Sequence, residues 1–183
     1  MHDECVCLEG PSGAGKTLLL RAIADLDLHQ GRVYLDDIER NTISGSAWRR
    51  QVGLLPAESQ WWRDTVGEHF EHTDHDLLDR LGFDNEVMTW QVSRLSSGER
   101  QRLALVRMLS LHPRVLLLDE PTASLDPDNV QRVEEVIKHY RNHQPAAVLW
   151  VSHDPQQIAR VANRSLYINK GQLLPRPDSV CIS

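Results

Sequence analysis

Two stretches of this chain place hydroxyl, amino and carboxylate groups where phosphate chemistry would need them. Gly10-Pro11-Ser12-Gly13-Ala14-Gly15-Lys16-Thr17 has the Gly-x-x-x-x-Gly-Lys-Thr spacing of a nucleotide phosphate loop. Its glycines let the backbone curl until successive N–H groups face one anion. A helix opening near Lys16 adds the positive end of its dipole, so the cradle runs from Gly10 to Leu18. Lys16 would reach the β- and γ-phosphates and the Thr17 hydroxyl would ligate Mg²⁺. Asp119-Glu120 follows the apolar run Val115-Leu116-Leu117-Leu118. Asp119 would hold the Mg²⁺ shell through water, and Glu120, beside the γ-phosphate, would orient and partly deprotonate an attacking water. Taken singly, a glycine-rich turn and a pair of acids at a strand end are ordinary features. Together, with a strand before the loop and a helix after it, they read as one ATP and Mg²⁺ site.

The elements that must carry these groups can be read from the apolar pattern. Cys5 to Glu9 is a strand candidate feeding the loop, and Leu18, Leu19, Leu20, Ala22, Ile23 and Leu26 continue with helical character. Arg32-Val33-Tyr34-Leu35 and Val52 to Leu55 read as strands. Residues 58–97 hold Trp61, Trp62, Phe70, Leu77, Leu78, Leu81, Val87 and Trp90 without strand alternation. They predict a small inserted helical lobe, with one helix from Asp76 to Leu81 stopped near Gly82. A helix from Glu99 to Ser110 follows, with Leu103, Val106 and Leu109 on one face. The all-apolar run before Asp119 suggests a strand covered on both faces, as in a parallel sheet. Asp126-Pro127 and Asp154-Pro155 are each a cap followed by proline at the first helical position. The first starts a helix with Val130, Val133, Val136, Ile137 and Tyr140 on one face and Glu134 paired to Lys138. Ala147 to Val151 is another buried strand, and Asn169-Lys170-Gly171 a hairpin turn. Strands alternating with helices give an α/β domain with a mainly parallel sheet.

Composition narrows the function classes. The 183 residues suit one domain, here 1–183, with the helical subdomain near 58–100. Twenty Lys and Arg against 26 Asp and Glu leave a net charge of −6, which argues against a nucleic-acid-binding surface. No apolar run has the length of a membrane span, and the acidic start Met1-His2-Asp3-Glu4 opens no signal peptide. Cys5, Cys7 and Cys181 are an odd number, and Cys5 and Cys7 point to one side of a strand, so a reducing compartment is the simpler setting. His2 with Cys5-x-Cys7 lacks the second half of a metal-ligand set.

Further short motifs resemble the ATP-binding cassette (ABC) family. Leu95-Ser96-Ser97-Gly98-Glu99 resembles its Leu-Ser-Gly-Gly-Gln signature, and Arg100-Gln101-Arg102 continues it. Asp119-Glu120-Pro121-Thr122 resembles the end of its Walker B segment, Ser124-Leu125-Asp126 its D-loop, and Val151-Ser152-His153-Asp154 its histidine switch. Residues 147–154 and the short lobe also look like the small bacterial ATPases of an iron exporter. The resemblance implies a P-loop NTPase fold of ABC type, with a shortened N-terminus. It implies that Ser96, Ser97, Gly98 and Glu99 bind the γ-phosphate held on a second copy in a head-to-tail dimer. His153 would contact that phosphate in cis and steady Glu120, and Asp126 would bridge the subunits. The implied activity is ATP hydrolysis that drives a separate multi-span permease, from the cytoplasmic face of the membrane. A soluble ABC-type switch in repair or translation, and a catalytically weak regulatory subunit, are the alternatives.

Three departures from the family pattern stand out. Ala57 occupies the position of the Q-loop glutamine, Ser97 replaces a signature glycine, and no aromatic residue precedes the phosphate loop to stack on adenine. Just after Ala57, the Gln60-Trp61-Trp62-Arg63 segment is the expected contact with the permease, because tryptophan's broad apolar face and polar N–H suit an interface.

Overall fold

A computed structural model describes residues 4–175. Met1, His2, Asp3 and Cys181, on which the readings of the chain start, the metal set and the cysteine count partly rest, lie outside the described residues. The element order is β1 (Cys5–Glu9), α1 (Lys16–Ile23), β2 (Tyr34–Leu35), β3 (Ile38–Glu39), α2 (Gly45–Gln51), β4 (Val52–Leu55), α3 (His75–Arg80), α4 (Ser97–Leu109), β5 (Val115–Asp119), α5 (Pro127–His143), β6 (Ala147–Val151), α6 (Pro155–Val161), β7 (Arg164–Asn169) and β8 (Gln172–Pro175). Six strands form one sheet in the order β4-β5-β6-β1-β7-β8, parallel except for the β7–β8 hairpin.

The apolar run of β5 shows why this sheet is buried on both faces. Leu116 and Leu118 enter a core with Leu103, Val106, Leu109, Val133, Ile137 and Trp150, while Leu117 enters a second core with Leu8, Leu20, Trp48, Val52 and Val151. Alternate side chains of a strand point to opposite faces, so helices on both sides are required. Each fully buried leucine contributes about 1.5–3 kcal/mol. The cysteines Cys5 and Cys7 are free and buried in the first core.

Several sequence expectations change. Only Tyr34 and Leu35 of the 32–35 stretch are strand, and they pair with Ile38–Glu39 in a separate two-stranded ribbon. α1 ends at Ile23, and Leu26 lies beyond it, exposed. The α4 helix starts two residues before Glu99, at Ser97, because the Ser96 hydroxyl accepts the Glu99 N–H as its cap. On α5, Val130 is half-buried while Val133, Val136, Ile137 and Tyr140 are buried. Glu134 is paired not along its helix with Lys138 but across to Arg160, whose planar fork takes the carboxylate in two bonds of 2.8 and 2.9 Å. α2 has no counterpart in the sequence reading. It is capped by Ser44 and anchored by Trp48, whose buried indole donates to the Ile23 carbonyl at 2.8 Å.

Between β4 and α4, residues 56–96 contain α3 and short 3-10 turns at Gly67–His69, Asn85–Thr89 and Val92–Arg94. Asp74 caps α3, and Gly82 follows it at φ 79°. Leu77, Leu78, Leu81, Phe83, Val87 and Leu95 are buried in the same core as the α4 side chains. The frame sets Asp119 beside Val151 on β6, and Val151 beside Leu8 on β1. Thus the segments leaving β1, β5 and β6 emerge side by side, at the carboxyl edge where open α/β sheets bind ligands.

Candidate functional site

The loop leaving β1 is shaped by backbone that only glycine tolerates well. Gly10 has φ 148°, and a Cβ there would lie 2.4 Å from the Ile168 carbonyl oxygen. Gly15, at φ 100°, is the left-handed cap of α1. Ser12, Gly13, Thr17 and Leu18 are exposed along the mouth of the loop, with Ala14 half-buried. Lys16 is only 7% exposed and folds back under it. Its Nζ donates to the carbonyl oxygens of Gly10 at 2.8 Å and Pro11 at 3.0 Å.

Thr17 and Asp119 come from elements far apart in sequence and meet here. The Thr17 hydroxyl donates to Asp119 Oδ2 at 2.8 Å, and Asp119 is 4% exposed. Two hard oxygen donors at one spot suit a Mg²⁺ that keeps waters and phosphate oxygens in the rest of its shell. Glu120 next to it has φ 49°, a costly conformation for a non-glycine residue, and its N–H donates to the Val151 carbonyl at 3.2 Å. Its Oε1 is 3.1 Å from Nε2 of His153, and both side chains remain partly open to solvent. Lys16, Thr17, Asp119, Glu120 and His153 are therefore carried on the adjoining carboxyl ends of three neighbouring strands.

Ser96, Ser97, Gly98 and Glu99 lie elsewhere, at the capped start of α4. Ser96 and Glu99 make a reciprocal capping box: the Glu99 carboxylate accepts the Ser96 N–H and hydroxyl, each at 2.8 Å. These bonds, from the backbone N–H first and the hydroxyl second, hold the Glu99 carboxyl below its ordinary range. Gly98 lies against the Ser124–Leu125 segment, where a Cβ would meet Leu125 at 3.1 Å. Among the described residues no hydrogen bond joins this helix start to the phosphate loop.

The segment around Ala57 is fastened to α4. The Gln101 amide, buried, donates to the Pro56 carbonyl at 2.8 Å, and the Ser59 hydroxyl donates to the Arg100 carbonyl at 3.3 Å. Trp61 packs half-buried against the core, whereas Trp62 is 66% exposed. His69 lies edge-on to both rings and organises the turn between them. Its Nε2 accepts the N–H groups of Trp62 and Arg63 at 2.9 and 3.0 Å, and Nδ1 donates to the Thr65 carbonyl at 3.0 Å. The Arg107 guanidinium sits over both indoles, 4.6 and 4.9 Å from their ring centres. Trp62, His69 and Arg107 line a groove of about 350 Å³ that also touches Leu55, Pro56, Phe70 and Met108. His69 and Arg107 carry no motif, and Gln101 reads only as part of the signature's continuation; their contacts depend on the docking of residues 56–70 onto α4.

Comparison with known proteins bears on the family and the fold. Residues 1–123 match the family model described as ABC transporter. The chain is 34% identical over 164 residues to the probable iron export ATP-binding protein FetA of Escherichia coli K12, covering 82% of this chain and 73% of that protein. It is 33% identical over 174 residues to the tungstate uptake system ATP-binding protein TupC of Peptoclostridium acidaminophilum, covering 90% and 81%. Its fold is similar to that of a dimeric post-hydrolysis ATP-binding cassette bound to ADP and Pi, with a TM-score of 0.80 and 23% identity over 96% of this chain and 86% of that one.

Proposed function

The chain belongs to the ABC transporter family, and from that premise we propose that it is an ATP-hydrolysing subunit that dimerises on ATP and drives a separate membrane permease. The observation that carries the reading is the joining of Thr17 to Asp119, next to Glu120 and His153 at 3.1 Å, around a loop built by Gly10 and Gly15.

In this reading the curled backbone from Gly10 to Leu18 binds the phosphates of ATP. Lys16 exchanges the Gly10 and Pro11 carbonyls for β- and γ-phosphate oxygens. Thr17 and Asp119 would hold Mg²⁺. When bound, Mg²⁺ neutralises charge on the phosphate oxygens. Glu120 orients the attacking water and accepts its proton, and the nearby His153 ring steadies that carboxylate and contacts the γ-phosphate. Ser96, Gly98 and the start of α4 face the γ-phosphate of a second copy, since a helix N-terminus favours an anion. Asp126 spans the two copies. That no hydrogen bond among the described residues joins the start of α4 to the phosphate loop supports a composite site. The groove beside Trp62 and Arg107 would receive a cytoplasmic segment of the permease, and the protein would work peripherally at the inner face of the membrane. No helix of the described residues is long and apolar enough to cross it.

The test is the Glu120→Gln variant. It should keep nucleotide binding, lose hydrolysis severely, and be a dimer by light scattering with Mg·ATP and a monomer without it. A monomer at saturating Mg·ATP, alone and with a copurifying permease, would overturn the composite site.

A further inference from the structure

Behind the Glu120–His153 pair lies a polar network that the mechanism above does not use, centred on Gln157. This residue is in the first turn of α6 and is 3% exposed. Its Oε1 accepts the Ser152 hydroxyl at 2.9 Å. Its Nε2 donates to the Thr122 hydroxyl and to Glu134 Oε1, each at 3.0 Å. The Ser152 oxygen in turn accepts the Asp154 N–H at 3.1 Å. Arg160 holds Glu134 from the other side.

The orientation of the amide follows from its partners. A carboxylate accepts and never donates when ionised, so Glu134 must face the NH₂ end. The carbonyl end is then left for Ser152. One side chain therefore ties the residue before His153 to the residue two beyond Glu120, and anchors both to α5. No other side chain among the described residues is hydrogen-bonded to Ser152 and Thr122 together. We propose that Gln157 is a positioning residue that sets the separation of Glu120 and His153.

This rests on the reading of Glu120 and His153 as the hydrolytic pair, but its geometry can be tested without hydrolysis. Removing the amide frees Ser152 and Thr122 to move independently. A misplacement on the order of 1 Å costs up to about a hundredfold in rate, so Gln157→Leu should lower kcat by about ten- to a hundredfold. The Kd for ATP should stay within about twofold, because the phosphate loop is untouched. In a His153→Ala background the same change should cost much less, since the two act as a unit. Gln157→Glu would set a second carboxylate against Glu134, and while both are ionised they repel and neither can donate. Its activity should recover as pH falls, because a protonated carboxyl can again donate to Glu134. Adding Glu134→Gln should restore activity at neutral pH, with donor and acceptor exchanged.

The decisive arm records the His153 ring resonances by NMR, assigned with His153→Gln, in wild type, Gln157→Leu and the volume-matched Gln157→Met, each checked for an unchanged melting transition. Displaced His153 resonances with unmoved phosphate-loop amides support the proposal. Unmoved His153 resonances in a folded variant overturn it, as does an equal kcat loss with and without His153. A wild-type chain that hydrolyses no ATP would sink the reading of the site while the resonances still decide the role of Gln157.

Discussion

The hydroxyl of Thr17, in the first turn of α1, is bonded to the carboxylate of Asp119 at the end of β5. In the proposed reading, that pairing would let two elements hold one Mg²⁺ together. Asp119→Asn keeps the shape and one acceptor oxygen but removes the charge. Loss of a group that orients a metal's shell costs about 10–100-fold in metal affinity or activity. The variant should therefore lose most of the gain in nucleotide affinity that Mg²⁺ provides, while its affinity in EDTA matches wild type. Equilibrium titration with and without Mg²⁺ checks this.

Gly10 gives a prediction about stability. A Cβ there would press on a backbone oxygen of β7, which no rotamer change can relieve, and φ is in the left-handed region. Gly10→Ala should destabilise the fold by at least about 2 kcal/mol. Gly13→Ala, where a Cβ would meet nothing within 4 Å, should lose only the conformational part, about 1 kcal/mol. Denaturant midpoints of the two variants separate these effects.

The capping box makes stability depend on pH through Glu99. Its folded-state carboxyl titrates below the unfolded value, so its contribution is complete above the unfolded value. That contribution is lost as pH falls through the depressed one. Glu99→Gln keeps a hydrogen-bonding group but does not titrate. The wild type should be the more stable of the two at pH 7, and the difference should shrink steadily below about pH 4. Melting temperatures of both proteins across that range test the sign.

Trp61 and Trp62 should respond differently to truncation. Trp61 packs on the core, and Trp61→Ala should cost about 2–3 kcal/mol. Trp62 is mostly exposed and keeps mainly its contacts with Arg107 and His69, so Trp62→Ala should cost about 1 kcal/mol or less. If the groove is the permease contact, Trp62→Ala should also abolish copurification with that protein.

The readable parts of this protein were those written in contiguous residues. The phosphate loop, the acids after β5 and the Asp-Pro helix starts each combine spacing and flank in one short window. Gln157 was hidden because Asp154-x-x-Gln157 reads locally as a capping box. The structure gives the Asp154 cap to the Gln156 N–H and turns Gln157 inward to Thr122 and Glu134, neighbours that exist only after folding. Arg32 and Val33 read as strand from type alone, but the chain reverses at Asp36, φ 51°, so that only Tyr34 and Leu35 enter the ribbon, while the Val33 carbonyl still accepts the Arg40 N–H at 2.9 Å. α2 carries glycine, serine and tandem arginines and has no strong helical pattern. It is held by a cap and by one buried tryptophan.

The central place of β1 governs the order in which the molecule can assemble. Cys5 pairs with Val148 on one side, and Val6 pairs with Arg164 on the other. The strand that launches the phosphate loop is thus among the first described residues to leave the ribosome, and both its neighbours are among the last. Until β6 and β7 are made, β1 has two open edges and Gly10 has no Ile168 to lie against. Such long-range parallel pairing is slow, and it leaves an apolar strand uncovered during synthesis. Nascent chains that stop before β6 should therefore be unable to bind nucleotide, and they are the form of this protein with most need of a chaperone.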